Sequence, residues 1–189
     1  SASTPRVGAK PGHVRGMDQN EDGILDINDN IFINADPDWY GSINATLRVK
    51  NFDLFMDWYF VQGVTRVNSI LANGEYWKAS TNGPVVPYYT PESPSTEWPM
   101  ANANAAWLKY LNSFAAKDAS YQRLRTVTVG YNFGDSLNQL LRTKSGRLYF
   151  TGTNLLTFTD LLSYSPEQDL RAGVFPETLN MTLGMKLTF

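Results

Sequence analysis

The stretch LNMTLGMKLTF, Leu179–Phe189, decides the fold that this sequence predicts. Its apolar residues occupy every second position, and Asn, Thr, Gly and Lys fill the positions between them. An α-helix returns a side chain to the same face after about 3.6 residues, whereas a β-strand does so after two. The stretch is therefore predicted to be a strand with one apolar and one polar face.

Four other segments alternate in the same way, and they are 41–50, 52–60, 126–133 and 147–153. Most charged residues in these strands share the polar parity: Arg48, Lys50, Asp53, Asp57 and Lys186. Arg123 and Arg125, which precede the third strand, have the parity of the apolar Val127. We therefore expect these two arginines on the apolar face, near its end.

Short and long connections alternate between the five strands. The first pair meets near Asn51, and the later connections run over 62–120, 134–145 and 159–177. Outer-membrane barrels join antiparallel strands in this way, with short periplasmic turns and longer extracellular loops. We predict an all-β fold, an antiparallel transmembrane β-barrel segment. Closing a barrel takes about eight strands or more, so five strands make only part of one.

This orientation groups the aromatic residues at the two ends of the strands. Phe52, Tyr131, Phe133 and Phe189 are predicted near the periplasmic edge. Trp39, Tyr40, Phe60 and Phe158 are predicted near the outer edge. Such pairs of aromatic girdles flank the apolar band of membrane barrels. Short helices are predicted in 65–77 and 103–116, and a single helical turn in 134–143.

Bulk properties exclude several classes of protein. No run of about 18 apolar residues is present, so a transmembrane helix is excluded. The net charge is −2 and there are no cysteines, so neither nucleic-acid binding nor a cysteine metal site is indicated. The one histidine, His13, reads as an exposed loop residue, and no GxSxG, HExxH, P-loop or GxGxxG motif occurs. We expect no enzymatic activity.

A motif of the EF-hand type lies in the first segment, 1–37. The sequence DQNEDGILDIND, residues 18–29, places oxygen-bearing side chains at positions 1, 3, 5, 9 and 12 and a glycine at position 6. The predicted ligands are Asp18, Asn20, Asp22, the carbonyl of Ile24, Asp26 and Asp29. Ca²⁺ is the expected cation, before Mg²⁺. A cluster of Asp and Asn turns that cap themselves is the alternative.

The last eight residues, TLGMKLTF, resemble the β-signal by which barrel-assembly machinery recognises its clients. Gly184, Leu187 and Phe189 carry that resemblance, and the alternative is an edge strand that ends in phenylalanine. In the long connection, several aromatic residues either stack on a substrate or pack the loop, and we favour packing. They are Tyr76, Trp77, Tyr88, Tyr89, Trp98, Trp107 and Tyr110.

Five stretches in order resemble the late segment of SusC/RagA-family TonB-dependent transporters. They are KPGHVRGMDQNEDGILDINDN (10–30), DPDWYGSINATLRVKNFDLFMDWYFVQG (36–63), YQRLRTVTVGYNF (121–133), GRLYFTGTNLLTFTD (146–160) and VFPETLNMTLGMKLTF (174–189). They cover nearly the whole chain. His13 departs from the family, where an acidic residue is common.

The resemblance implies a barrel of about 22 strands with an N-terminal plug. On this basis 1–37 is an extracellular loop, and 38–189 holds the five C-terminal strands and the long extracellular loop 62–120. The resemblance also implies a SusD-like surface lipoprotein, energy from the TonB complex, outer-membrane lipid around the barrel, and glycan or peptide substrates. The plug and most of the barrel are expected outside this chain. A secreted calcium-stabilised β-module, such as an adhesin or binding domain, is the alternative, and its outer surface would face water.

Overall fold

The computed structural model describes residues 10–78, 82, 85–101, 111–162, 165–167, 175 and 177–189. The chain forms two compact units. Among the described residues, the first unit contains 10–35 and those within 65–118. The second unit contains 36–64, those within 119–167, and those from 175 onward.

The second unit is a five-stranded antiparallel sheet. Its strands are β1 (Trp39–Val49), β2 (Phe52–Gln62), β5 (Tyr121–Asn132), β6 (Ser145–Thr159) and β7 (Asn180–Thr188), paired in that order. Strands that follow one another in this sheet are therefore also neighbours in space. The predicted all-β antiparallel fold is confirmed.

Both short connections lie at the same end of the sheet. β1 and β2 are joined by a tight turn in which Lys50 adopts a left-handed conformation, with φ of 52°. Asn51 in this turn donates its side-chain N–H to the carbonyl of Asn132 at 2.7 Å, which ties the turn to the end of β5. The helix Asp135–Leu141 joins β5 to β6. It has seven residues, longer than the single turn that the sequence predicts, and Arg142 ends it with φ of 54°.

The register aligns the alternation of every strand into two continuous faces. Residues directly opposite each other in an antiparallel pair point to the same face. One row across all five strands reads Leu47, Leu54, Val129, Phe150 and Leu183, and the next reads Ala45, Met56, Val127, Gly152 and Met181. Many side chains on this apolar face are exposed, and Leu183 retains 72% of its accessible surface.

A β-bulge corrects the expectation for Arg123. The register passes from Thr126, opposite Asp57, to Leu124, opposite Trp58, and skips Arg125. One extra residue reverses the parity of everything before it. Leu124 therefore lies on the apolar face, opposite Trp58 and Leu156, and Arg123 lies opposite Tyr59 and Thr157 on the polar face. The prediction that Arg123 lies on the apolar face was wrong, because counting every second residue back from Val127 takes no account of a bulge.

The aromatic residues predicted for the two girdles lie at the two ends of the sheet. Near the short connections the rings of Phe52 and Tyr131 lie 4.9 Å apart. At the opposite end Trp39 and Phe60 lie 5.2 Å apart, and Trp58 stacks on Phe158 at 6.0 Å. The apolar face is thus bounded by aromatic rings at both ends.

The first unit has its own small core, formed by Leu71, Tyr76, Trp77, Val86 and Ala115. Its elements are a 3₁₀ turn (Ile27–Asp29), a two-stranded sheet of β3 (Thr65–Val67) and β4 (Ala116–Asp118), and the short helices Gly74–Trp77 and Leu111–Ala115. The connection 62–120 is therefore partly a folded element with buried side chains.

A short helix is present in each of the two ranges predicted in this unit, over fewer residues. In 65–77 only Gly74–Trp77 is helical, because Thr65 and Val67, which are β-branched, pair as a strand with Ala116–Asp118. In 103–116 the helix Leu111–Ala115 is present and Ala116 belongs to β4, while 103–110 lies outside the described residues. Within the part of the chain that the structure describes, no helix has the length and apolar character needed to span a membrane.

Candidate functional site

The polar face of the sheet carries hydroxyl and amide groups in rows across the strands. One row reads Asn44, Asp57, Thr126, Thr153 and Asn180, and the next reads Thr46, Phe55, Thr128, Thr151 and Thr182. The hydroxyl oxygens of Thr128 and Thr151 lie 2.9 Å apart. In the first of these rows, Oδ1 of Asp57 is buried and has no hydrogen-bond partner. This surface offers donors and acceptors to a polar molecule.

An ion pair crosses three strands of this face near the short connections. The carboxylate of Asp53 on β2 accepts from Arg147 on β6, and Asn132 Nδ2 donates to Asp53 Oδ1 at 2.8 Å. Gly130 on β5 lies between them. A Cβ on Gly130 would stand 2.6 Å from Arg147 Nε and from Asp53 Oδ2, so the missing side chain makes room for the pair.

The acidic loop 18–29 folds through a series of local turns. Asp18 Oδ2 accepts the N–H of Gly23 at 2.8 Å, Asp22 Oδ1 accepts that of Ile24 at 2.8 Å, and Asp26 Oδ1 accepts that of Asn28 at 2.8 Å. Asn20 Oδ1 accepts the N–H of Asp22 at 3.1 Å. Gly23 has φ of 86°, a left-handed conformation that suits glycine at the sharp turn of such a loop.

Asp29 brings the end of this loop back to its beginning. Its Oδ2 accepts the N–H of Asp26 and its Oδ1 that of Gln19, at 2.8 and 2.7 Å. These two backbone hydrogen bonds hold the pKa of the Asp29 carboxyl below its usual range. The twelve-residue segment is therefore closed by its last residue.

The predicted cation ligands are only partly brought together. Asp29 bonds the N–H groups of Gln19 and Asp26, and Asp18 Oδ1 is buried without a hydrogen-bond partner. Asn20, Asp22 and Asp26 are engaged in their own turns, and Ile24 donates its N–H to Asp22 with its side chain exposed. Among the described residues, no group of three or more His, Cys, Asp or Glu side chains is placed to hold a metal ion. Cation binding stays a prediction.

The three residues of the predicted assembly signal lie on or beside β7. Gly184 lies opposite Tyr149 of β6, and a Cβ on Gly184 would overlap the Tyr149 ring. Leu187 lies opposite Gly146, and Phe189 follows the end of β7 with 73% of its surface exposed. Gly184 therefore has a packing role in the folded sheet. Recognition by assembly machinery stays a prediction.

The aromatic residues of the long connection pack against one another. Trp77 is fully buried, its ring lies 5.5 Å from that of Phe114, and its Nε1 donates to the carbonyl of Leu71 at 2.7 Å. Tyr88 donates to the hydroxyl of Tyr76 at 2.8 Å. Burial of Tyr76 and the hydrogen bond from Tyr88 raise the pKa of Tyr76. Trp98 packs against the same core, and Tyr89 against Gly12. The packing interpretation is confirmed for these residues, while Trp107 and Tyr110 lie outside the described part of the chain.

The single histidine also differs from its expectation. His13 is half-buried rather than exposed, and its Nδ1 accepts the N–H of Lys10 at 3.4 Å. Its Nε2 is buried without a hydrogen-bond partner.

Comparisons with known proteins identify the class of relatives. No protein-family model matches the chain. TonB-dependent receptor P26 of Formosa agariphila is 29% identical over 94% of this chain and 20% of that receptor. TonB-dependent receptor P3 of the same organism is 29% identical over 81% of this chain and 16% of that receptor. The chain thus spans about a fifth of the length of the receptors that it matches.

Solved structures share the fold. The RagAB peptide transporter aligns with a TM-score of 0.63 and 19% identity over 84% of this chain and 18% of that one. The RagAB peptide importer in its open-open state aligns with a TM-score of 0.63 over 94% of this chain and 20% of that one.

The chain is therefore a relative of TonB-dependent receptors. More particularly, the similarity to TonB-dependent transporters that its five sequence stretches indicate is confirmed, and the RagAB structures share its fold. The matched proteins bear the names of receptors and importers rather than of enzymes, in agreement with the prediction of a non-enzymatic protein.

The close approach of Tyr149 to Gly184 gives a test of what this glycine does. Gly184→Val collides with the ring, and overpacking of this kind costs about 1–3 kcal/mol. Tyr149→Ala in the same protein removes the collision, so the double variant should recover most of the free energy of unfolding. Urea unfolding of the single and double variants, refolded in lipid, measures the loss of this free energy and its recovery.

Measuring assembly in cells distinguishes the packing role of Gly184 from a role in recognition by assembly machinery. If machinery reads this position directly, the double variant folds in lipid but does not reach the protease-resistant state in cells. A double variant whose stability loss equals the sum of the two single losses contradicts the packing role.

Proposed function

We propose that this chain is part of an outer-membrane transporter that depends on TonB and imports oligosaccharides or peptides. The observation that carries the proposal is the apolar face of the sheet. Rows such as Leu47, Leu54, Val129, Phe150 and Leu183 run across all five strands, and most of their side chains are exposed. A soluble protein rarely leaves a contiguous apolar surface of this extent in water. The lipid of a membrane is an environment in which such an apolar surface is stable.

The strands are proposed as the C-terminal five of a barrel of about 22. The aromatic ends of the apolar face correspond to the two interfaces of the membrane, and the polar face lines the lumen. In this arrangement the short connections are periplasmic and the long ones extracellular. Further strands of the same protein would pair with the edges of β1 and β7, since an open edge does not occur in lipid.

The partners of the whole protein are proposed from its relatives. The remainder of the barrel and the plug would come from other parts of the same protein. The N-terminal part that contains the plug would contact the TonB complex. A SusD-like surface lipoprotein is proposed as the extracellular partner. The importers that share the fold are two-component RagAB complexes, which supports a two-component arrangement. Glycan and peptide remain equal candidates for the substrate.

A secreted β-module is the second candidate, and the acidic loop is the feature that favours it. Its difficulty is the same apolar face, since such a module would need another surface to cover residues like Leu183 and Met181. The membrane interpretation explains both faces of the sheet.

A matched pair of substitutions on β1 tests the membrane interpretation. Ala45 and Thr46 are adjacent and exposed, but Ala45 lies on the apolar face and Thr46 on the polar face. If the apolar face contacts lipid, Ala45→Arg near mid-strand should cost about 2–4 kcal/mol. Thr46→Arg should cost little. Equilibrium unfolding of the intact protein in lipid vesicles gives both values, and equal costs would contradict a lipid-facing apolar surface.

Uptake measurements test the transport proposal and choose the substrate class. Cells that lack the gene should lose uptake of either labelled oligosaccharides or labelled peptides, and the intact gene should restore it. Removing TonB should abolish the same uptake, since the proposed energy source is the TonB complex. Uptake of both substrate classes that is unchanged by the deletion would contradict the proposal.

The acidic loop is further proposed to bind Ca²⁺, and Mg²⁺ less well. Three observations support this: the left-handed Gly23 at position 6, the return of Asp29 to Gln19, and the unpartnered Oδ1 of Asp18. The ligands would be Asp18, Asn20, Asp22, the carbonyl of Ile24, Asp26 and Asp29. Binding would draw Asp22 and Asp26 away from their turns.

Calorimetric titration of the chelator-treated intact protein with Ca²⁺ tests this loop. Asp18→Asn removes one negative charge from the site and should weaken Ca²⁺ binding about tenfold or more. Glu21→Gln is the matched control, because Glu21 is exposed in the same loop and is not a proposed ligand. Absence of Ca²⁺ binding, or equal binding by the Asp18→Asn variant, would contradict the site.

A further inference from the structure

The bulge at Arg125 places a buried arginine on the polar face. Arg123 is 2% exposed. Its Nε donates to Thr157 Oγ1 at 3.0 Å, and its Nη1 donates to Glu167 Oε2 at 2.9 Å. The same Nη1 also contacts the carboxylate of Glu177. One guanidinium thus holds two carboxylates.

The surroundings of Arg123 balance its charge. Tyr121 donates its hydroxyl to Glu167 Oε1. Arg125 Nη2 lies 3.7 Å from the same oxygen, and its guanidinium lies 3.7 Å from the centre of the Tyr59 ring. The charged groups facing one another here are therefore two arginines and two glutamates.

The two glutamates come from a different part of the chain than the arginine. Arg123 and Tyr121 stand at the beginning of β5, whereas Glu167 and Glu177 lie in the connection between the end of β6 at Thr159 and the start of β7 at Asn180. Glu167 lies before the midpoint of this connection in the sequence, and Glu177 lies after it. A buried guanidinium is stable only when such partners compensate its charge.

We propose that Arg123 is a positioning residue that fixes Glu167 and Glu177, and with them the described residues of this connection, against the polar face of the sheet. We name the group of Tyr121, Arg123, Glu167 and Glu177 the arginine clamp. The clamp acts through contacts within the second unit and does not depend on what the protein transports. If the transport proposal holds, the clamp lies at the extracellular end of the lumen.

Acid should open the clamp. Burial raises the pKa of Glu167, but the hydrogen bond from Tyr121 and the positive charge of Arg123 outweigh it and hold this pKa below its usual range. A carboxyl group with a lowered pKa stabilises the folded state at neutral pH, and this contribution is lost as the pH falls below about 4. The charged and titratable groups around Glu167 in this cluster are Arg123, Arg125, Tyr121, Tyr59 and Glu177.

Hydrogen exchange followed by mass spectrometry on the intact protein tests the clamp. In a Glu167→Gln/Glu177→Gln double variant, the amides of Ser165 and Glu167 and those in 177–179 should exchange about tenfold faster or more, because local opening no longer breaks the ion pairs. Exchange in 145–153 of β6 should stay unchanged. Each single variant should give a smaller increase, since one carboxylate still holds Arg123.

Two further variants sharpen the test. Arg123→Lys keeps the charge but lacks the forked guanidinium, so it should give an intermediate increase at the same amides. Glu92→Gln, an exposed carboxylate of the first unit, is the control and should give none. As the pH falls through the lowered pKa of Glu167, the difference between the wild type and the double variant should shrink.

Two outcomes would overturn the proposal. One is unchanged exchange at 165–167 and 177–179 in a folded double variant. The other is an equal increase over the whole sheet, since that would make Arg123 a residue of general stability rather than a positioning residue.

Discussion

Directly opposed residues of antiparallel strands point to the same face, and the structure of the second unit depends on this constraint. Each of the five strands alternates in sequence, but alternation alone does not decide whether neighbouring strands present like side chains together. The register does so, from Ala45 and Met56 through Val127 to Met181. A slip of one residue in any pair would move charged groups such as Asp53 and Arg147 to the apolar face. The apolar surface is therefore a property of the whole sheet.

Close approaches on the polar face explain why glycines interrupt strands that otherwise favour larger residues. Gly130 leaves space for the pair of Asp53 and Arg147, and Gly184 leaves space for the ring of Tyr149. Glycine weakens an isolated strand because it has no side chain to pack and loses more backbone freedom on folding. Here the larger neighbours fill the space. The polar face is consequently packed around ion pairs and rings, with hydroxyl rows between them.

The first unit follows other rules. Its core is aromatic and small, with Trp77 fully buried among Leu71, Tyr76 and Val86. The acidic loop is organised by carboxylates that accept backbone N–H groups, of which Asp29 closes the largest span by bonding Gln19. The same oxygen atoms that make these turns are the ones a cation would use. At the proposed cation site, a cation would therefore compete with local hydrogen bonds for Asp22 and Asp26, whereas Asp18 Oδ1 is not engaged by either turn.

The sequence by itself determined the strands, their two faces, the alternation of short and long connections and the aromatic ends, because a period of two and the spacing of turns are local properties. It also carried the resemblance to SusC/RagA-type transporters. Only the tertiary structure decided the face of Arg123, since the bulge at Arg125 reverses the parity that the alternation from Val127 onward predicts. The pairing of Thr65–Val67 with Ala116–Asp118, the ion pair of Asp53 with Arg147, and the hold of Arg123 on Glu167 and Glu177 were likewise decided there. Each joins residues about 40 to 90 positions apart, and contacts between residues so distant in the chain leave no periodic signal in the sequence.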